Sequence, residues 1–195
     1  PMTERAAPPE LVVADAAAWR AWLQENDDVS DGVWLILAKK GTRIPTSLTY
    51  AEALEEALCS GWIDGRRNTV DSATFRQHFT PRRARSLWSK RNVELVAGLI
   101  QAGRMRVRGQ AEIGRAQADG RWGRAYGGPA ALEVPADLDA ALAAAPDAAA
   151  AFAGLGRSAR YPILHQVVTA PNDAVRAARI ARQVARLADG PLSAD

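Results

Sequence analysis

The feature that most constrains this chain is a break near residue 126. Gly127, Gly128 and Pro129 stand together there, and glycine and proline are the strongest local punctuators of regular structure. Before the break, apolar residues follow both the two-residue period of strands and the helical period. Beyond it they follow the helical period alone. The expected organisation is an α+β domain over 10–125, a linker over 126–133 and a helical carboxy-terminal subdomain over 134–190. The fold class predicted is α+β, a small antiparallel sheet packed with helices and followed by that helical part.

Local signals place the elements. Asp15 can cap a helix in which Trp19, Trp22 and Leu23 share one face. VWLILAKK (33–40) is apolar on both alternating sets, as a strand buried on two sides would be. Thr49 and Glu52 form a capping box ahead of AEALEEALCSG, with Gly61 as its stop. A WIDG strand (62–65) is expected to meet a second strand at Phe75, Gln77 and Phe79 through a 67–74 loop, and Pro81 should end that strand. Ser89 is a candidate N-cap for a helix carrying Val93, Val96, Ala97 and Ile100, with Asn92 in its third position. Another helix is expected around 109–118. In the last helix Ala177, Ile180, Ala181, Val184 and Leu187 should point inward, and Arg176, Arg179, Arg182 and Arg186 outward.

Composition removes several classes of function. Cys59 is the one cysteine, and His78 and His165 are the two histidines, so a disulfide, a Cys-rich zinc site or an iron–sulfur cluster cannot be assembled within one chain. No HxxxH or ExxH spacing, Walker loop, strand-linked GxGxxG or GxSxG elbow occurs, so no metal and no cofactor is nominated. Neither a run of about 18 apolar residues nor an apolar leader is present, which predicts a protein of the cytoplasm with no membrane insertion. Met2 rather than Pro1 is the expected natural start.

Charge is unevenly distributed. Residues 1–65 carry 5 basic and 11 acidic groups, 66–124 carry 14 and 4, and 125–195 carry 6 and 7. A basic centre between acidic flanks fits internal ion pairing, a pocket for an anion, or a nucleic-acid face.

The blocks GWIDG, TPRRARSLWSKRN and ADGRW, taken in this order and followed by VPADLDAALAAAPDAAAAF and a basic closing helix, resemble the YdeI/OmpD-associated family, also called bacteriocin-protection proteins. The resemblance runs over about 19–190. It implies an α+β amino-terminal domain, a helical carboxy-terminal subdomain and a link to bacterial envelope stress or antimicrobial-peptide resistance. It implies no particular reaction.

The residues of the central blocks nominate a ligand cleft. Trp62, Trp88 and Trp122 each stand near Arg, Asp or Ser, and an indole offers a flat apolar wall with one N–H donor. Asp64 follows Trp62 by two, so on a strand both face the same way. Arg82 and Arg83 follow a strand end, while Ser86, Ser89 and Asn92 lie near a helix start, where guanidinium forks, hydroxyls and backbone N–H groups can hold a carboxylate or phosphate. His78 completes the set as a strand-borne acid or base. The same residues also suit mere architecture: core tryptophans, an Asp64 pair with Arg82 or Arg83, and a capping Ser89. Cys59, on an apolar helix face, reads as a buried thiol, and His165 as a packing residue.

Three functions remain open on this reading. The first is a non-enzymatic protein that binds an anionic small molecule, a peptide or a partner protein. The second is an enzyme of unassigned reaction using Asp64, His78 and Arg82. The third is nucleic-acid binding through 66–124, disfavoured because the acidic first segment can cover the basic one.

Overall fold

The computed structural model describes residues 7–128 and 133–190. Residues 129–132 of the expected linker lie outside the described residues. Among the described residues there are four strands and eight helices, so the fold is α+β with a helical carboxy-terminal part. The chain divides into two compact units, unit 1 comprising Pro1–Ser86 and Asn92–Gly123, and unit 2 comprising Leu87–Arg91 and Arg124–Asp195.

Unit 1 is built on a sheet in the order β1-β2-β4-β3. Its strands are β1 (Glu10–Leu11), β2 (Val33–Ala38), β3 (Trp62–Thr69) and β4 (Thr74–Pro81). β2, β4 and β3 are antiparallel as expected, but the sheet is mixed, because β1 joins β2 in parallel. No alternation in the sequence announces a two-residue strand. β3 also continues through Arg67, Asn68 and Thr69, residues expected in a loop, and a register shift between Asp64 and Arg67 lets it do so. An extra residue at such a bulge keeps the ladder going after the twist increases.

The helices of unit 1 are α1 (Ala16–Asn26), α2 (Tyr50–Cys59), α3 (Lys90–Gln101) and α4 (Val107–Ala118). Asp15 caps α1 by accepting the Ala18 N–H at 2.9 Å, and Thr49 with Glu52 forms the full capping box of α2. Trp19, Leu23, Leu54 and Leu58 are buried. The Trp19 ring lies 5.8 Å from Phe79 and 6.3 Å, edge-on, from Trp62. Register sets Val33 beside Phe79 and Leu37 beside Phe75, so this face of the sheet is the one that closes the core. α4 crosses close to the end of α2: a β-carbon on Gly109 would lie 2.2 Å from the Cys59 carbonyl oxygen. Only glycine permits that approach.

Unit 2 holds α5 (Ala136–Ala143), α6 (Pro146–Gly154), α7 (Arg157–Val168) and α8 (Asp173–Ala188). Leu138, Leu142, Ala148, Phe152, Leu164, Val167 and Ile180 form its core. Asn172 caps α8 by accepting the Val175 N–H at 2.9 Å. Ala177 and Ala181, expected inward, are exposed, and Gln183 is buried in hydrogen bond with Gln166 at 2.8 Å. Packing against α6 and α7 has turned the helix so that Ile180 and Gln183 lead. Alanine contributes too little area to fix that rotation. Among the described residues no helix is long and apolar enough to cross a membrane.

Candidate functional site

Part of the basic middle segment is answered inside unit 1. Arg104 bridges Glu55 and Glu56 at 2.6 and 2.7 Å, Arg106 reaches Glu56 at 2.6 Å, Arg108 reaches Asp28 at 2.7 Å and Arg76 reaches Glu10 at 3.4 Å. Each pair joins residues 66–124 to residues 1–65, which is the internal pairing the charge pattern allowed. Glu56, 2% exposed, also accepts from Arg20. Burial works to raise its pKa, yet hydrogen bonds from Arg20, Arg104 and Arg106 outweigh that and hold the carboxyl below its ordinary value. Cys59, nearby on α2, is buried, and burial followed by the Glu56 charge pushes its thiol pKa up, the opposite of an activated nucleophile.

The ten residues nominated from sequence are divided between the two units. Trp62 is fully buried, with its Nε1–H donating to the Asp27 carbonyl at 3.2 Å. Asp64 is half-buried and accepts from Tyr50 Oη at 2.8 Å. Arg82 is buried, and its backbone N–H donates to Gly61 at 2.9 Å. Arg83 is exposed; its N–H donates to Ser86 Oγ at 2.8 Å, while the Ser86 carbonyl accepts from Arg121 at 2.7 Å. Asn92 is buried as the third residue of α3, and Trp122 is half-buried with its N–H on the Ala116 carbonyl. Trp88 and Ser89 belong to unit 2, where Trp88 is buried and Ser89 makes an isolated bridge with Tyr126. Trp62 and Asp64 point the same way, but register sets Asp64 beside Phe79. His78, one residue earlier, therefore points to the opposite face, and the pair cannot act on one atom from a common side.

That opposite face gathers a different group. Trp34 stands directly across from His78, with ring centroids 5.0 Å apart. The Arg76 guanidinium lies over the indole, 4.9 Å from its centroid, in cation–π contact. Ile36 is opposite Arg76 and only 4% exposed, whereas Trp34, Arg76 and His78 are half-buried and Arg66 is exposed. Gly32 and Gly65 flank the imidazole. A β-carbon at Gly32 would lie 2.7 Å from Thr80 Cγ2 and 2.8 Å from the Phe79 carbonyl oxygen, and one at Gly65 would lie 3.5 Å from His78 Nδ1. His78 Nε2 is buried without a hydrogen-bond partner. Burial first and the Arg66 charge second lower the His78 pKa, which favours the uncharged ring. This face therefore presents an indole, an imidazole and the Arg76 guanidinium, with Arg66 alternating to the same side from Arg67, whose partner is Gln77, an arrangement suited to holding an anion beside an apolar surface.

Trp34, Arg76 and Arg66 were missed by sequence reasoning for different reasons. Trp34 lies in an all-apolar strand, Arg66 falls between the expected 62–65 strand and the 67–74 loop, and Arg76 alternates with inward residues, so none of the three stands out in the sequence. The alternation in FRQHFTP already put Arg76 and His78 on one face; what lay across from them was not readable. His165 packs as expected, edge-on to Tyr126 at 4.6 Å. Among the described residues no group of three or more His, Cys, Asp or Glu side chains is placed to hold a metal ion.

Residues 11–112 match the family described as Domain of unknown function (DUF8412), just over half of the chain. Residues 131–190 match the family described as Bacteriocin-protection, YdeI or OmpD-Associated. GWIDG and SLWSKRN fall within the first match, and ADGRW lies between the two. No curated protein and no solved structure matches. The chain, whose residues 11–112 carry Trp34, Arg76 and His78, thus belongs to the DUF8412 family, and its residues 131–190 are similar to the YdeI or OmpD-associated family.

Proposed function

We propose that this protein works by binding and not by catalysis, holding an anionic ligand on the face of the unit 1 sheet that carries Trp34, Arg76 and His78. The bacteriocin-protection setting comes from the description of the family that its carboxy-terminal segment matches. One observation carries the reading: Arg76 stands with Trp34 and His78 on the sheet face opposite Phe75, Gln77 and Phe79, and Arg66, next to Arg67 whose partner is Gln77, alternates to that same side. Positive groups beside an apolar plane supply both charge complementarity and desolvated contact area to an anion. The enzymatic alternative has less support, since Asp64 and His78 project from opposite faces.

Calorimetric titration of the full chain with inorganic pyrophosphate tests this. Binding is expected, with a loss of about tenfold or more in the Arg66→Gln/Arg76→Gln double variant, given that hydrogen bonds to charged groups contribute about 1.5–3 kcal/mol. Equal affinity in the double variant, or no binding by the wild-type chain at millimolar pyrophosphate, would sink the assignment.

A further inference from the structure

Resting on the anion-binding reading, the geometry points to a nucleoside phosphate as the ligand of this sheet face, its base extending the Trp34–Arg76 stack and its phosphate meeting Arg66. Two features select that class over a bare anion. The Arg76 guanidinium carbon already lies over the indole, 4.9 Å from the centroid, and a guanidinium plane stacks readily on a second π-system while its edge donates hydrogen bonds. Its ion pair with Glu10, at 3.4 Å, has both side chains well exposed, so a ligand can displace Glu10 at little cost.

The second feature is spacing. Trp34 is on β2 and Arg66 on β3, with β4 between them. Neighbouring strands are about 4.8 Å apart, so the two side chains spring from points about 10 Å apart across the sheet. Side chains leaning inward from those points leave the span between a base and the phosphate of the same nucleotide. Among the described strand residues of this face, Trp34 is the only tryptophan, tyrosine or phenylalanine. Binding a single strand would require successive stacking platforms, so the face fits one nucleotide.

The test compares adenosine 5′-monophosphate, ribose 5-phosphate and adenosine by calorimetry with the full chain. The nucleotide is expected to bind about tenfold or more tighter than ribose 5-phosphate, the usual worth of stacking one base on an aromatic side chain. Trp34→Leu should abolish that preference while both phosphates still bind; Arg66→Gln should weaken both phosphates and spare adenosine. If Trp34→Leu fails to fold by circular dichroism, Trp34→Phe must keep the preference and Arg76→Gln must reduce it. Equal binding of nucleotide and ribose 5-phosphate overturns this inference while leaving the anion-binding reading intact. Binding of neither phosphate removes both. A ten-residue oligothymidylate binding far more tightly than the mononucleotide would instead assign the face to a single strand and overturn the choice made here.

Discussion

Replacing Glu56 by glutamine measures what holds α1, α2 and the segment before α4 together. The carboxylate is 2% exposed and accepts from Arg20 Nε and Nη2 at 3.1 and 2.6 Å, from Arg104 Nη2 at 2.7 Å and from Arg106 Nη2 at 2.6 Å. Glutamine keeps the volume but loses the charge, and it turns an amide NH2 toward a guanidinium that also only donates. Breaking a buried ion pair from one side costs about 3–5 kcal/mol. For a chain of this size that lowers the melting temperature by about 6–20 °C. Urea unfolding followed by tryptophan emission reads the loss, because Trp19 and Trp62 are buried in the same unit. Arg20→Gln supplies the control. Its side chain is 50% exposed, so it should cost no more than about 1 kcal/mol. The pH dependence has a fixed sign: the folded pKa of Glu56 is depressed, so its stabilisation is complete above the unfolded carboxyl pKa of about 4.3 and is lost as pH falls through the folded value. Glu56→Gln should flatten that acid limb. A loss below about 1 kcal/mol, or an unchanged acid limb, would refute the assignment of Glu56 as the hub.

Two further outcomes are expected. Gly109→Ala should destabilise by about 1–3 kcal/mol through the clash with the Cys59 carbonyl. Gly114→Ala in the same helix, with nothing within 4 Å, should stabilise by about 0.5–1 kcal/mol; urea midpoints that rank the pair the other way would contradict the close approach of α4. By proton NMR both histidines should titrate below the ordinary value, because burial leads in each case, followed by Arg66 for His78 and Arg179 for His165. Depressed folded values mean that the unfolded chain binds more protons, so stability falls as pH drops through the ordinary histidine range; a His78 midpoint above 6.5 would show that its ring is not desolvated as described.

Local chemistry in the sequence carried much of the architecture. Asp15, the Thr49–Glu52 box and Asn172 satisfy orphan backbone donors within a few residues, so their helix starts were legible or nearly so. The β3–β4 pairing was legible from alternation, and the charge split anticipated that acidic residues of 1–65 would meet arginines of 66–124. Other features depend on distant partners. β1 exists only because β2 offers it an edge, and α8 is rotated by what packs against it rather than by its alanines. Glu56 was indistinguishable from Glu55 in the sequence; three arginines arriving from α1 and from the segment around 104–106 made it the hub. The candidate site was the least legible part. A strand residue's face follows from a period of two, but which residue stands across from it follows from register, and a slip of one residue exchanges the faces. Register set Trp34 opposite His78 and left Asp64 on the other side, so the residue types for the site were readable in one dimension and their grouping was decided only when the strands paired.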